Sequence, residues 1–442
     1  MNGLSYIREM KNTFWIILFR VIRVCLSFVI SLLTARYLGP ERYGISYYVT
    51  SLAGFFVPVA LLGLNDTLVR ELSEHTEKEG EILGTSLVMS VSASVISAAV
   101  MILFAYLLNR NDSTTVWFCG LYSISLLFQN YELITCWFQT KLQSKYPSAA
   151  VVLAFTVSSA YRVFLLVTHK GILWFAMTTV IDYAMIALIL FVCYRVLNGP
   201  RLSFSAKTGK ELLNRSKYYI LTSIIVASFS TVDKIMLKSM FGEVVNGYYS
   251  GAYSLAGSTS FLYAALIESQ RPSIVSLAKD DSESFAARVK TLFSLMFWIS
   301  FIQNLVFSMF GKLIVETLLG ADYVEAVPVF RILTWFTTFS YIGAARNVWI
   351  LATDNHRYLW RINLIGALSG IVMNFILIKR FGMIGAAVTA IITQFLTNYL
   401  TGYIFKDVRP VNDLLLQALN PKNILNYLGE AIAELRSIRK TI

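Results

Sequence analysis

Two stretches decide the fold: LGPERYGISYYVTSLAG at residues 38–54 and FGEVVNGYYSGAYSLAG at residues 241–257. Aligned without gaps, they share Gly39/Gly242, Gly44/Gly247 and the run Ser51-Leu52-Ala53-Gly54, repeated as Ser254-Leu255-Ala256-Gly257. A fixed-offset echo of this kind marks an internal repeat. A weaker one pairs Gly171, Ala176, Thr178 and Ile181 with Gly382, Ala387, Thr389 and Ile392. Both echoes join long apolar runs, so the repeated unit is a set of membrane spans.

Composition supports that reading. Of 442 residues 56% are hydrophobic and only 14% charged, against about 25% charged in ordinary globular proteins. Mean hydropathy is +0.61. So few charges cannot cover a solvated surface of this size, which excludes a secreted disulfide scaffold or a soluble nucleotide-binding enzyme. A helix needs about 20 apolar residues to cross roughly 30 Å of hydrocarbon. Twelve stretches qualify: 14–35, 44–64, 83–108, 116–138, 148–168, 172–194, 218–237, 248–270, 291–310, 329–351, 362–378 and 383–405. The first contains Arg20 and Arg23 and has no small-residue cleavage site, so it reads as a retained span and not a signal peptide.

Six spans per repeat is an even number, so both repeats begin on the same side and are parallel, related by an axis along the membrane normal. The expected fold is all-α integral membrane: two six-helix lobes at 1–200 and 201–406 facing a central cavity, then an amphipathic tail at 407–442. In the tail Leu414, Leu415, Ile424, Leu428 and Leu435 stand among charges, as in helices lying at a membrane face.

Charge gives the sidedness. With the N-terminus inside, the inner segments carry 24 Lys+Arg and the outer segments 8. The positive-inside rule therefore puts both termini in the cytoplasm. The net charge of +12 belongs to loops facing anionic lipid; no basic face with interleaved aromatics suggests nucleic acid. Cys25, Cys119, Cys136 and Cys193 lie in apolar stretches without metal-ligand spacing. The longest outer loop has about 18 residues and no GxxxxGK[ST] motif occurs. The expectation is a non-enzyme without cofactor or metal.

The repeat segments also carry a family likeness. Ala35-Arg36-Tyr37-Leu38-Gly39-Pro40-Glu41-Arg42-Tyr43-Gly44 resembles the signature of Wzx-type polysaccharide flippases. Asp233-Lys234-Ile235-Met236-Leu237, with Gly242 and the run Gly247-Tyr248-Tyr249-Ser250-Gly251-Ala252-Tyr253, resembles the start of that family's second half. Phe381-Gly382-Met383-Ile384-Gly385-Ala386-Ala387 resembles its last span; Asn246 departs from the apolar residue usual at its place. The resemblance implies a MATE-like fold in the bacterial inner membrane. It further implies export of undecaprenyl-pyrophosphate-linked oligosaccharide units for O-antigen, capsule or exopolysaccharide, beside a polysaccharide polymerase and a chain-length regulator.

Such cargo has an anionic diphosphate and a polar head, so a carrier needs a wet, cationic cavity, and intramembrane charges are the candidates. Arg20 and Arg23 lie three residues apart on one helical face, with Arg23 roughly 13 Å deep. Arg23 and Arg20 are candidate phosphate ligands, because a guanidinium fork can bond two oxygens and stays charged. Arg162 and Arg346 are further candidate cations. Asp182, mid-way in its span, either pairs with a cation such as Arg23 or Arg162 or titrates and couples transport to protons. Adjacent Asp233 and Lys234 either gate or couple to an ion (H+ or Na+), or pair across the lobe interface. Glu132 reads as interfacial.

Three rivals can be weighed. A MATE-type multidrug or cation exporter would want a carboxylate-rich cavity, whereas cations outnumber carboxylates among the deep charges here. A lipid II flippase usually has two more spans. A membrane polymerase would be expected to carry a large outer catalytic loop.

Overall fold

The computed structural model describes the backbone of residues 3–422; side chains are described from Arg23 onward, save Cys25, Asp66, Lys279 and Asp280. Every regular element among the described residues is helical, as hydrocarbon requires when each backbone amide must be satisfied within its own segment. Twelve rods result, one for each apolar run. The run Gly3–Ala60 is broken at Gly39 into α1 (3–38) and α2 (40–60). Then come α3 (Glu79–Leu108), α4 (Ser113–Gln129, continued by Asn130–Leu133 and Ile134–Thr140), α5 (Lys145–Val167) and α6 (Ile172–Val196). Ala206–Ala256 is broken at Gly242 into α7 (206–241) and α8 (243–256, continued by Ser260–Asp280). After α9 (Ser282–Met309) and α10 (Val327–Ala352), Leu359–Phe395 breaks at Gly382 into α11 (359–381) and α12 (383–395, continued to Ile404). The amphipathic helix α13 (Arg409–Ala418) follows.

Among the described residues six helical stretches, Thr76–Leu108, Lys145–Val167, Ile172–Val196, Ala206–Ala278, Ser282–Met309 and His356–Ile404, are long and apolar enough to cross a bilayer. On α3 the sorting of side chains is plain. Ser86, Ser90, Ser94 and Ser97 are buried in a stripe at helical spacing, while Val88, Val95, Ile96 and Leu103 are exposed. Exposed aliphatics are the expected lipid face of a membrane helix, and small inward residues let helices approach closely.

The three breaks share a cause. Gly39 (φ 67°, ψ 174°) and Gly242 (φ 85°, ψ −179°) adopt nearly the same conformation, one essentially restricted to glycine. Within residues 1–247 the repeated glycines then pack reciprocally. A Cβ on Gly44 would sit 2.0 Å from the Glu243 carbonyl oxygen, and one on Gly247 would sit 1.8 Å from the Pro40 carbonyl oxygen. Pro40 and Glu243 are themselves equivalent positions of the repeat, so the two close approaches mirror each other. Asn246, at the departure from the family pattern, is fully buried and donates to the Gly44 carbonyl oxygen at 2.8 Å.

The chain forms two compact units, residues 1–247 and 248–442; the lobe boundary read from sequence falls at 200/201. The first unit extends past it because the connecting strap is bonded to α3. Ser203 donates its amide to the Gly80 carbonyl oxygen at 3.2 Å, and Ser205 donates its amide to Thr85 Oγ1 at 3.0 Å. Thr208 reaches Glu81, and Arg215 reaches Glu71. Leu64, Leu68, Leu72, Leu83, Phe138 and Tyr194 build the core beside this strap. In the second unit the Tyr263 and Tyr341 rings stack at 3.7 Å. There α13 buries Val411 and Leu415 in the same core as Phe293 and Trp349. The remainder of the tail reading (Ile424, Leu428 and Leu435) lies outside the described residues.

Candidate functional site

Two deep charges of the first unit, Arg23 and Asp182, meet. Asp182 on α6 is 8% exposed. It accepts a hydrogen bond from Ser158 on α5 at 3.2 Å and lies 3.9 Å from the Arg23 guanidinium on α1. Of the two roles open to Asp182, pairing with Arg23 is therefore present in the structure. Arg23 also lies over the Phe155 ring at 5.8 Å. Arg162 lies on α5 one turn beyond Ser158. The backbone at Arg20 is helical, but its side chain lies outside the described ones.

Glu132 joins this cluster, which the interfacial reading missed. After Gln129, α4 tightens into a 3₁₀ turn, Asn130–Leu133, and the altered pitch brings residue 132 to the cavity wall. Buried Asn130 holds the turn, its Oδ1 accepting from Ser94 at 3.0 Å and from Ser90. A cavity of about 520 Å³ opens here, lined by Arg23, Asn65, Glu132, Thr135, Gln139 and Ser148 among others. Its volume falls in the roughly 300–1,000 Å³ range of small-ligand sites. Arg23, with 37% of its side chain exposed, is partnered yet still open to that space.

Arg346 is arranged differently. It sits on α10, 3% exposed. Its guanidinium donates to the Thr397 carbonyl oxygen and lies 3.5 Å from Thr401 Oγ1. Its Nε has no partner, and among the described residues no carboxylate pairs with it. The acceptor lies in a π-helical turn, Leu396–Leu400. A carbonyl drawn to a side-chain donor is one way an α-ladder slips to π geometry, and such turns are frequent at functional sites.

Asp233 and Lys234 bond to each other, Lys234 Nζ lying 3.2 Å from Asp233 Oδ1 and donating to the Ser230 carbonyl oxygen at 3.0 Å. One turn on, Lys238 forms a network that was not singled out from sequence. It is 6% exposed, bonds Asn109 Oδ1, and lies 3.1 Å from Asp112, 3.2 Å from Glu243 and 5.1 Å from the Tyr48 ring centre. Asp112 is in the turn between α3 and α4. Burial opposes its ionisation, but hydrogen bonds from Thr115 and the Lys238 ammonium outweigh that and hold its carboxyl below the ordinary carboxylate range.

This fold is a known one. The lipid II flippase MurJ in an inward closed conformation superposes with a TM-score of 0.70 at 15% identity, over 93% of each chain. An inward-facing multidrug resistance MATE family transporter of the MOP superfamily gives 0.67 at 13%, over 88% of this chain and 96% of that one. The capsular polysaccharide biosynthesis protein CapF of Staphylococcus aureus is 21% identical over 393 residues, 86% of this chain and 94% of that protein. An uncharacterized membrane protein of Methanocaldococcus jannaschii is 20% identical over 421 residues, 87% and 81% of the two chains. The molecule is thus a multi-pass membrane protein with the MATE-like fold. More narrowly, residues 10–278 match the family described as polysaccharide biosynthesis protein, and the chain belongs to that family.

Proposed function

We propose that the protein is a flippase, moving undecaprenyl-pyrophosphate-linked oligosaccharide units from the cytoplasmic to the periplasmic leaflet of a bacterial inner membrane by alternating access. The family membership supports the saccharide cargo, and the MATE-like fold supports transport. The observation that carries the reading is a 520 Å³ cavity walled by Arg23, Glu132, Asn65 and Gln139 inside a chain otherwise built to face lipid. Intramembrane charge is costly and is retained where polar cargo must pass. Both termini are cytoplasmic in this reading, by the charge of the loops. Arg23, Arg162 and Arg346 contact the head group, and Arg20 lies on the same face as Arg23. Asp182, Asp233 and Lys234 take part in gating or in coupling to H+ or Na+. A polymerase and a chain-length regulator act on the product outside.

Deleting the gene should abolish surface polysaccharide and leave lipid-linked units accumulating on the cytoplasmic leaflet, with restoration by the wild-type chain. Unchanged surface polysaccharide contradicts the proposal. The carboxylates Glu132 and Asp182 favour a second reading, an ion-coupled exporter of organic cations. That reading predicts increased sensitivity to cationic drugs in the same deletion strain, with normal polysaccharide.

A further inference from the structure

Within the flippase reading, the cavity beside Arg23 raises the question of which part of the head group it holds. A diphosphate wants cations without competing anions, since each added carboxylate repels it. Among the described residues that line this cavity Arg23 is the one cation; Glu132 lies in the same wall, and Asp182, itself not in that wall, is 3.9 Å from the Arg23 guanidinium. The rest of the polar wall is neutral: the amides of Asn65 and Gln139 and the hydroxyls of Thr135 and Ser148. Carboxylates accept only, guanidinium donates only, and amides and hydroxyls do both. A wall with this mixture leaves a bare anion poorly matched, with the Glu132 carboxylate facing it and the Arg23 charge already offset by Asp182. A ring bearing several hydroxyl or acylamino groups, each able to donate and accept, can pair with all of them at once.

We infer that this cavity is the saccharide subsite, taking a neutral polyhydroxylated sugar unit of the head group, with Glu132 and Gln139 setting which sugar is accepted. Glu132 is placed for this by the 3₁₀ turn at Asn130–Leu133, which turns its carboxylate toward the space between α1, α5 and α6. The diphosphate lies outside this cavity. Ser158 and Asp182 act as positioning residues: Ser158 donates to Asp182 at 3.2 Å, and Asp182 holds the Arg23 guanidinium against the wall.

The inference rests on the flippase reading, and the test separates the two. The full chain in lipid nanodiscs is titrated with two probes: lipid-linked repeat units extracted from cells carrying the gene, and undecaprenyl diphosphate without sugar. The wild type should bind the glycosylated lipid more tightly. Glu132→Gln and Gln139→Ala should each weaken that binding about tenfold, the scale of losing a hydrogen bond to a charged or well-placed polar group. Both should leave the sugar-free probe unchanged. Glu132→Gln keeps the side chain's shape, so folding is preserved and checked by thermal melting. Equal weakening for both probes would place the diphosphate in the cavity and overturn the subsite. So would unaltered binding of the glycosylated lipid. A wild type that binds neither probe overturns the flippase reading itself, and the subsite with it.

Discussion

Asp182 and Arg346 are both buried charges in the spans of this protein, and the two units treat them in opposite ways. In the first unit Asp182 has Arg23 at 3.9 Å and a hydrogen bond from Ser158, and Arg23 in turn lines a cavity with Glu132, Asn65 and Gln139. In the second unit Arg346 has one carbonyl oxygen, one distant hydroxyl and an unpartnered Nε. A paired charge next to polar space is one a transporter can hold at moderate cost. An ion whose charge is unbalanced is far more expensive, several kcal/mol after relaxation. The difference teaches that the first unit offers a charge-balanced pair, suited to neutral polar groups, while in the second no carboxylate among the described residues offsets Arg346. The uncompensated cation is the better candidate for meeting an anion during transport.

That contrast can be broken by substitution. The largest effect is expected at Arg346. Replacing a buried ion by an apolar side chain of similar length is often neutral or stabilising, so Arg346→Met should accumulate in the membrane and melt no lower than wild type. Surface polysaccharide should fall at least about a hundredfold, as for loss of a charge pair made with a transported anion. Export above one tenth of wild type would make Arg346 a structural cap for the π turn and nothing more. Next comes Arg23→Ala, which leaves Asp182 unpaired and should lower export about tenfold.

A double-mutant cycle sharpens the comparison. Arg23→Ala and Asp182→Asn should be less than additive in thermal stability, with a coupling of about 1 kcal/mol. Additive effects would mean that the 3.9 Å approach carries no energy. The same Asp182→Asn protein tests coupling to protons: loss of any dependence of export on the proton gradient is expected, and an intact dependence removes Asp182 from that role.

The smallest effect is expected at Asp112, an ordinary ion network outside the hydrocarbon. Its folded carboxyl titrates below the usual range, so its contribution is present above the unfolded value, near pH 4. That contribution is lost as pH falls through the folded value. Wild type and Asp112→Asn should differ by about 2 °C in melting temperature at pH 7, and the difference should shrink steadily as pH falls below about 4. A difference that does not shrink on acidification would show that the side chain acts without its charge.

Much of the fold was legible because membrane rules act on short, local stretches. Each rod needs its own apolar run, and each sharp break needs a glycine. Gly39 and Gly242, found as repeated letters, turn out to share one backbone conformation. The family likeness read from residues 35–44 is borne out by the family match. Depth alone singled out Arg23 and Asp182, and they meet. Glu132 escaped because a carboxylate near a span end normally faces head groups, and nothing local shows that α4 will tighten after Gln129. Lys238 escaped because its partners Asn109 and Asp112 come from more than a hundred residues away. The compact unit that ends at residue 247 also depends on long-range bonds, such as Thr208 to Glu81. Span counting sees topology; it does not see which rods a strap binds together.

The account stands or falls on movement of a saccharide head group across a bilayer. The most direct measurement uses proteoliposomes holding the purified chain and fluorescent lipid-linked repeat units, with a membrane-impermeant glycosidase outside. The account predicts that the inner-leaflet half of the label becomes cleavable only when the chain is present, and that Arg346→Met slows this at least tenfold. Protection of that half, equal with and without the protein, would contradict it.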